Sequence, residues 1–238
     1  MLWKKVPFHQ MACYEAPSWA RQLAFVPSHR VKLATLPTPI HEWRVPSSRV
    51  PRGVQLYVKR DDLTGCALSG TKVRRLEFQL ARALRDGCRQ VITCGYEQSN
   101  HIRATVVAAR HLGLEPHVFV MSDHDRGAAR CRSPGNWLLN MMCGARVTFV
   151  PGGSDFRGDV VPAMRRRADE LRHPSLVIAQ GGADLLGTFG SVECWREMLR
   201  QRVPERFDDV VVTCSSGGTV AGLALANHLT GCRVRIHA

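Results

Sequence analysis

Lys72 is the side chain whose placement could do covalent chemistry. It stands in the run Ser69-Gly-Thr-Lys-Val-Arg-Arg75, a few residues after Lys59-Arg-Asp-Asp-Leu-Thr-Gly65. A strand-like stretch from Gln55 to Arg60 leads in, and the glycines at 65 and 70 bring the chain round. Ser69 or Thr71 can then cap a helix whose apolar positions Val73, Leu76, Leu80 and Leu84 recur at helical spacing. Lys72 therefore falls in the first turn of that helix. The unpaired N–H groups there carry roughly half a positive charge, which disfavours the ammonium and favours a neutral, nucleophilic amine. The same cluster, Lys72 with Arg74 and Arg75, would equally serve as a solvated basic face at a helix start, and the motif alone leaves both open.

Two polar turns offer complementary chemistry. Ser215-Ser-Gly-Gly-Thr219 follows an apolar strand and opens a helix beginning Val220-Ala-Gly-Leu. Glycines there let backbone N–H groups approach a phosphate, the helix start adds its partial positive charge, and the hydroxyls of Ser216 and Thr219 can donate. Glycine-rich turns of this kind also arise for steric reasons alone. The stretch lacks both the Gly-x-x-x-x-Gly-Lys of a P-loop and the Rossmann spacing, which argues against a nucleotide. Gln98-Ser-Asn-His101 holds the equivalent place before another helix. Ser99 or Asn100 would make an ordinary N-cap. The same exposed N–H groups and serine hydroxyl also suit a substrate carboxylate, Asn100 could bond a cofactor oxygen, and His101 would contribute its backbone N–H rather than act as a base.

The elements that must position these residues alternate regularly. The first fifty residues are proline-marked and irregular, a wrapping arm rather than a domain. After strand 55–60 and the Lys72 helix, which Gly87 ends, the pattern predicts strand 90–94, a helix through Ala104, Val107, Ala108 and Leu112, and strand 117–121. A loop rich in Asp, Arg and Gly follows, then helix 135–143, strand 146–150, helix 160–171 and strand 175–179. A Gly181-Gly182 turn, helix 186–200, strand 209–214, helix 219–229 and a final strand from Arg233 complete the chain. Strands alternating with helices mean α/β architecture with parallel, helix-covered sheets in three layers, and the number of units suggests two such sheets. In sheets of this kind chemistry collects at the carboxyl ends of the strands, which is where both polar turns fall.

Composition narrows the alternatives. With 238 residues and 45% hydrophobic content, the chain can bury one sizeable core or two modest ones. No apolar run reaches the roughly 20 residues that a membrane helix needs. The start Met1-Leu-Trp-Lys-Lys-Val-Pro7 does not read as a signal or transit peptide, so the cytosol is expected. Nine cysteines without a Cys-x-x-Cys pair read as reduced core thiols rather than a disulfide frame or zinc site. The net charge of +13 raises nucleic acid as a partner, but the arginines are scattered. The longest basic run is Arg165-Arg-Arg167 on a helix face, without interleaved aromatics, so no nucleic-acid partner is expected.

Five stretches together carry a resemblance: Lys59-Arg-Asp-Asp-Leu-Thr-Gly65, Ser69 to Phe78, Gln98-Ser-Asn-His101, Gly135-Asn-Trp-Leu-Leu139 and Ser216-Gly-Gly-Thr-Val-Ala-Gly222. In order and spacing the chain resembles the D-cysteine desulfhydrases and aminocyclopropane-carboxylate deaminases, pyridoxal-phosphate enzymes of the tryptophan-synthase β-subunit fold. Ala16-Pro-Ser-Trp19, Val26-Pro-Ser-His29 and Leu36-Pro-Thr-Pro-Ile-His41 are most similar to the eukaryotic D-cysteine desulfhydrases. The resemblance implies that Lys72 holds the cofactor's aldehyde as a Schiff base and that Asn100 bonds the ring's phenolic oxygen. It implies that Ser216, Gly217, Gly218 and Thr219, helped by Arg75, hold the phosphate. Ser99, Asn100 and His101 would receive the substrate carboxylate, with Ser99 close to the reacting carbon. The freed Lys72 amine would then remove the α-proton, and D-cysteine would yield sulfide, pyruvate and ammonia. The alternatives are deamination of aminocyclopropane-carboxylate, lysis of another D-amino acid, or a chain that keeps cofactor or partner binding without catalysis.

The resemblance further implies an N-terminal arm with the start of the large domain at 1–74, a small α/β domain at 75–182, continuation of the large domain at 183–238, and a homodimer in complete members. The chain departs from the family at Thr71, where Asn is common, at Ser215, where Gly is common, and at Tyr96, where small residues are usual. Family members also continue beyond the equivalent of Ala238. That further part supplies the group facing the pyridine nitrogen and the last part of the large domain.

Overall fold

The computed structural model describes residues 11–122 and 134–238. The loop rich in Asp, Arg and Gly and Cys131 lie outside the described residues. The arm is more ordered than its prolines suggest. β1 (Met11–Cys13) pairs antiparallel with β2 (His29–Val31), and β3 (Ile40–Glu42) pairs antiparallel with β4 (Tyr57–Lys59). Strands of three residues are too short for alternation to show, so these ribbons leave no periodic signal. The expected strand 55–60 thus shortens to β4 and joins an antiparallel ribbon rather than a parallel sheet.

The main sheet has the order β7-β6-β5-β8, all parallel, formed by β5 (Gln90–Tyr96), β6 (Glu115–Ser122), β7 (Arg146–Pro151) and β8 (Ser175–Val177). Strict alternation along β6 divides its two faces. Val118 and Val120 pack with Ile102, Val106 and Trp137 beneath α2 (Asn100–His111) and α3 (Asn136–Met142). Phe119 and Met121 pack with Ile92, Cys94, Val160 and Met164 beneath α4 (Val161–Glu170). Both faces are buried in the middle of the sheet, which is why β6 carries apolar side chains at the consecutive positions 118–121 rather than alternating with exposed polar ones.

α1 (Lys72–Arg85) is the axis of the remainder. It packs on α5 (Leu185–Arg200), which in turn packs on α7 (Gly218–Leu229). After the short α6 (Val203–Arg206), β9 (Asp209–Val211) and β10 (Arg235–His237) form a second, parallel pair. Arg74 and Arg75 are each only 2% exposed, so the start of α1 is not a solvated basic face. Arg74 donates to Asp61 at 2.7 and 2.9 Å and to Glu197 at 2.9 Å, while Lys59 bonds the same Glu197. Glu77 on the next turn accepts from Arg30 at 2.7 Å and from the Leu33 and Ala34 amides. Buried charges must be paired, and these pairs fasten the arm, β4 and α5 onto one helix.

Among the described residues the cysteines are free, but only Cys94 and Cys194 are buried, while Cys13, Cys66 and Cys214 are exposed, so the expectation of core thiols holds for a minority. Among the described residues no His/Cys/Asp/Glu cluster could hold a metal, and no helix is long and apolar enough to cross a membrane.

Candidate functional site

Three helix starts and one glycine turn define the site. Lys72 is the first residue of α1; Thr71 before it has helical φ and ψ and makes no side-chain cap, contrary to the capping expected of Ser69 or Thr71. The turn Gln180–Gly182 leaves the carboxyl side of β8, and Gly181 (φ 69°) and Gly182 (φ 63°) both adopt the left-handed backbone that glycine tolerates. A Cβ built on Gly181 would lie 2.7 Å from Ser216 Oγ and 3.9 Å from Lys72 Nζ. The lysine amine and the Ser216 hydroxyl therefore converge across a turn that must be bare of a side chain.

Behind that turn stands Arg75. It donates to the Gly181 carbonyl at 2.7 Å and to Thr219 Oγ1, joining the double-glycine turn to the first turn of α7. Gly217, at φ 77°, precedes α7, and a Cβ on Gly218 would lie 2.9 Å from Arg75 Nη1. Gly218 thus lets the guanidinium approach a helix start whose first N–H groups lack intrahelical acceptors. Lys72, Arg75, Ser216, Gly217, Gly218 and Thr219 form one constellation.

Electrostatics sharpen the lysine's role. Burial and then the neighbouring Arg75 charge pull the Lys72 amine down to about 8. The sequence reasoning anticipated the direction through the helix start, whereas the dominant cause is desolvation. Lys72 has no hydrogen-bond partner among the described residues.

The second turn is built differently from the first. Ser99 is the N-cap of α2: its Oγ accepts from the Ile102 amide at 3.2 Å and its own N–H donates to Tyr96 O at 3.0 Å. Its hydroxyl hydrogen and the first-turn N–H groups of Asn100 and His101 remain as donors toward an anion. Asn100 Oδ1 accepts from Asn136 Nδ2 at 2.8 Å, which leaves the Asn100 amide hydrogens for a ligand. The His101 side chain turns inward, is 4% exposed, and shares a 2.8 Å hydrogen bond with Thr93 Oγ1. Thr93 Oγ1 also lies 2.9 Å from Ile178 O, to which it can only donate, and His101 Nδ1 is buried without a hydrogen-bond partner. Burial, Lys72 and Arg75 hold His101 down to about 3, so it stays neutral. Arg103, from the same helix, donates to Ser69 O at 2.7 Å and ties α2 to the loop before Lys72. Tyr96 is 53% exposed and lies edge-on to Phe156, with ring centres 5.9 Å apart, on the α4 side of the sheet.

Sequence reasoning missed Gln79 and Thr93. Gln79 Nε2 donates to Gly182 O at 3.2 Å and its Oε1 is buried without a partner. Neither residue stands in a motif, and each acquires a role only from the partner that the fold brings to it.

An amine that gives up its proton near neutrality, with an anion cradle one residue's width away, suits a ligand that carries an aldehyde at one end and a phosphate at the other. The space that a Gly181 side chain would fill, the Lys72 amine without a hydrogen-bond partner among the described residues and the open first-turn N–H groups of α7 fit such a group. These are features of the pyridoxal-phosphate class. Residues 31–238 match the family described as pyridoxal-phosphate dependent enzyme, and the chain belongs to that family.

Two curated relatives illustrate the likeness. The Arabidopsis thaliana bifunctional D-cysteine desulfhydrase/1-aminocyclopropane-1-carboxylate deaminase, mitochondrial, is 40% identical over 94% of this chain and 57% of its own length. The D-cysteine desulfhydrase of Serratia proteamaculans is 36% identical over 73% of this chain and 53% of its own. A crystal structure of an ACC deaminase homologue superposes with a TM-score of 0.77 at 33% identity, over 93% of this chain and 65% of that one. The O-acetylserine dependent cystathionine beta-synthase from Helicobacter pylori, at 16% identity and TM-score 0.64, shares the fold. The fold is the α/β fold of tryptophan-synthase-like pyridoxal-phosphate enzymes, and the chain spans little more than half the length of the curated relatives it matches.

Proposed function

We propose that this chain is a pyridoxal-phosphate-dependent lyase that cleaves D-cysteine to pyruvate, ammonia and hydrogen sulfide. The observation that carries the reading is the Lys72 amine, lowered to about 8 and set across Gly181 from the Ser216 hydroxyl. Pyridoxal phosphate, when bound, supplies an electron sink for bonds broken next to the substrate nitrogen. Lys72 Nζ would hold the aldehyde, and its neutral amine could accept a proton beside it, a role that a normally basic, solvated lysine would fill poorly. Ser216, Gly217, Gly218 and Thr219 hold the phosphate through the start of α7, with Arg75 fixing Thr219 and the Gly181 carbonyl. Asn100 donates to the ring oxygen from a side chain that Asn136 immobilises. Ser99, Asn100 and His101 would seat the substrate carboxylate at the start of α2, where the Ser99 hydroxyl and the first-turn N–H groups are free to donate. The buried His101 ring, held down to about 3, is too weakly basic to compete with Lys72 for a proton.

We place the small domain at residues 75–182, which carry the four-stranded sheet, and the large domain in residues 1–74 with 183–238. The packing of α5, α7, β9 and β10 around Trp195 supports that division.

Deamination of aminocyclopropane-carboxylate is the second reading, favoured by the names of the Arabidopsis relative and of the solved homologue. Sulfide, ammonia and 2-oxo-acid release from D-cysteine, L-cysteine, D-serine and the cyclopropane acid, measured on the protein with added pyridoxal phosphate, tests the choice. Sulfide with D-cysteine is expected; 2-oxo acid and ammonia from the cyclopropane acid alone would select the second reading.

A further inference from the structure

The run Arg165-Arg-Arg167, which the site above does not use, lies beside a cavity in another part of the fold. α4 covers β5 and the middle of β6, but it leaves a cleft toward the edge strand β7. That cleft, of about 430 Å³, is lined by His117 and Phe119 of β6, Arg146 and Thr148 of β7, and Arg166, Arg167 and Glu170 of α4, among others. We propose that this cleft is a binding site for a small oxyanion, a phosphate monoester or carboxylate, separate from the Lys72 site.

Charge and partnering carry the proposal. Three arginines face one carboxylate across the cavity. Glu170 is already engaged by Arg167 Nη1 at 3.0 Å, and Arg146 pairs at 3.2 Å with Glu115 just outside it. Arg166 has no carboxylate partner among the described residues, and Arg167 Nε is buried without an acceptor. At the floor, His117 is 4% exposed; its Nε2 shares a 2.8 Å hydrogen bond with Thr148 Oγ1 and its Nδ1 is buried without a partner. Its ring lies stacked on Phe119, 5.3 Å between centres and 26° between planes, forming a flat wall beneath the arginines. Burial first, and then the charges of Arg167 and Arg146, hold His117 down to about 4, so the floor senses the arginines above it even though both are paired. An oxyanion among the guanidinium groups would pair the unengaged donors and offset that field. The site is concave and sized for a small ligand, and its basic run covers a single helical turn without exposed aromatics, which favours a small molecule over a nucleic-acid strand.

The test uses the His117 ring as its own reporter, by heteronuclear NMR of the imidazole during titration with inorganic phosphate, glycerol phosphate or acetate at fixed ionic strength. His101 provides the internal reference, because it senses the Lys72 side instead. Binding in the cleft is expected to raise the His117 pKa saturably. Arg166→Gln/Arg167→Gln should weaken that response by roughly tenfold or more, because two charge-assisted donors are lost. The circular dichroism and the His101 signal of that variant should stay unchanged. The phosphate and acetate arms separate phosphoester from carboxylate ligands. An identical His117 response to chloride, an undiminished response in the double variant, or displacement of phosphate by a short single-stranded RNA at far lower concentration would overturn the proposal.

Discussion

Gly190 sits in the middle of α5 against the first turn of α1, directly behind the residues that present Lys72 and Arg75. A Cβ there would lie 2.6 Å from the Arg74 carbonyl carbon and 2.7 Å from both Arg74 O and Arg75 N, against the 3.4 Å at which ordinary contact begins. Gly190→Ala therefore has to part the two helices by about 0.8 Å, and backbone atoms cannot rotate aside as a side-chain tip could. Two effects oppose each other. Alanine gains about 0.8–1 kcal/mol in a helix interior, while overpacking a close-packed contact costs about 1–3 kcal/mol and more where the neighbours are rigid. The clash should win by about 1–2 kcal/mol, which for a domain of this size lowers Tm by roughly 2–8 °C. Urea unfolding followed by circular dichroism gives the free energy, and pyridoxal-phosphate affinity measured alongside should fall, because the shift is passed to the start of α1. A Tm equal to or above that of the parent would show that α5 and α1 are not packed as described, and would remove the physical basis for the rigidity of the Lys72 turn.

Gly218→Asp should capture Arg75, whose Nη1 would lie 2.9 Å from the new Cβ, so pyridoxal-phosphate affinity should drop by at least tenfold with little change in apo Tm; equal affinity would remove the cradle assignment. Glu197 resists the burial that would raise its pKa, because Arg74 and Lys59 hold it at about 2. Its contribution to stability is therefore complete above its unfolded pKa and is lost as pH falls toward 2, so Glu197→Gln should cost about 3–5 kcal/mol near neutrality and flatten the acid limb of the stability profile. His101, held at about 3 against an ordinary value of 6.5, works in the same sense: unfolding should become easier as pH falls from about 6.5 toward 3. The His101→Gln variant, measured by the same pH series, should lose that slope.

Much of this was legible in the amino-acid order because periodicity and turn chemistry act locally. The alternation after Lys72 gave helix and strand positions close to those observed, and the glycine turns marked the places where strands pass into helix starts. What escaped depends on partners distant in sequence. The motif alone left Arg74 and Arg75 open to a solvated basic face, and only the fold brings Asp61, Glu197, Gly181 and Thr219 to them. His101 read as a helix-start residue, and nothing local shows that its ring turns inward to Thr93. The short ribbons within the otherwise irregular arm escaped for a related reason: their three-residue strands are stabilised by pairing and by the Glu77 and Glu197 anchors rather than by any pattern of their own.

The central claim is that one lysine among those in the chain holds the cofactor. Borohydride reduction of the protein in the presence of pyridoxal phosphate, followed by digestion and mass mapping, tests it directly. The account predicts a pyridoxyl group on Lys72, best formed at pH near and above about 8, where the amine is neutral, and absent from Lys72→Ala, whose circular dichroism is unchanged. A stoichiometric adduct on Lys32 or Lys59, or full labelling of Lys72→Ala, would contradict it.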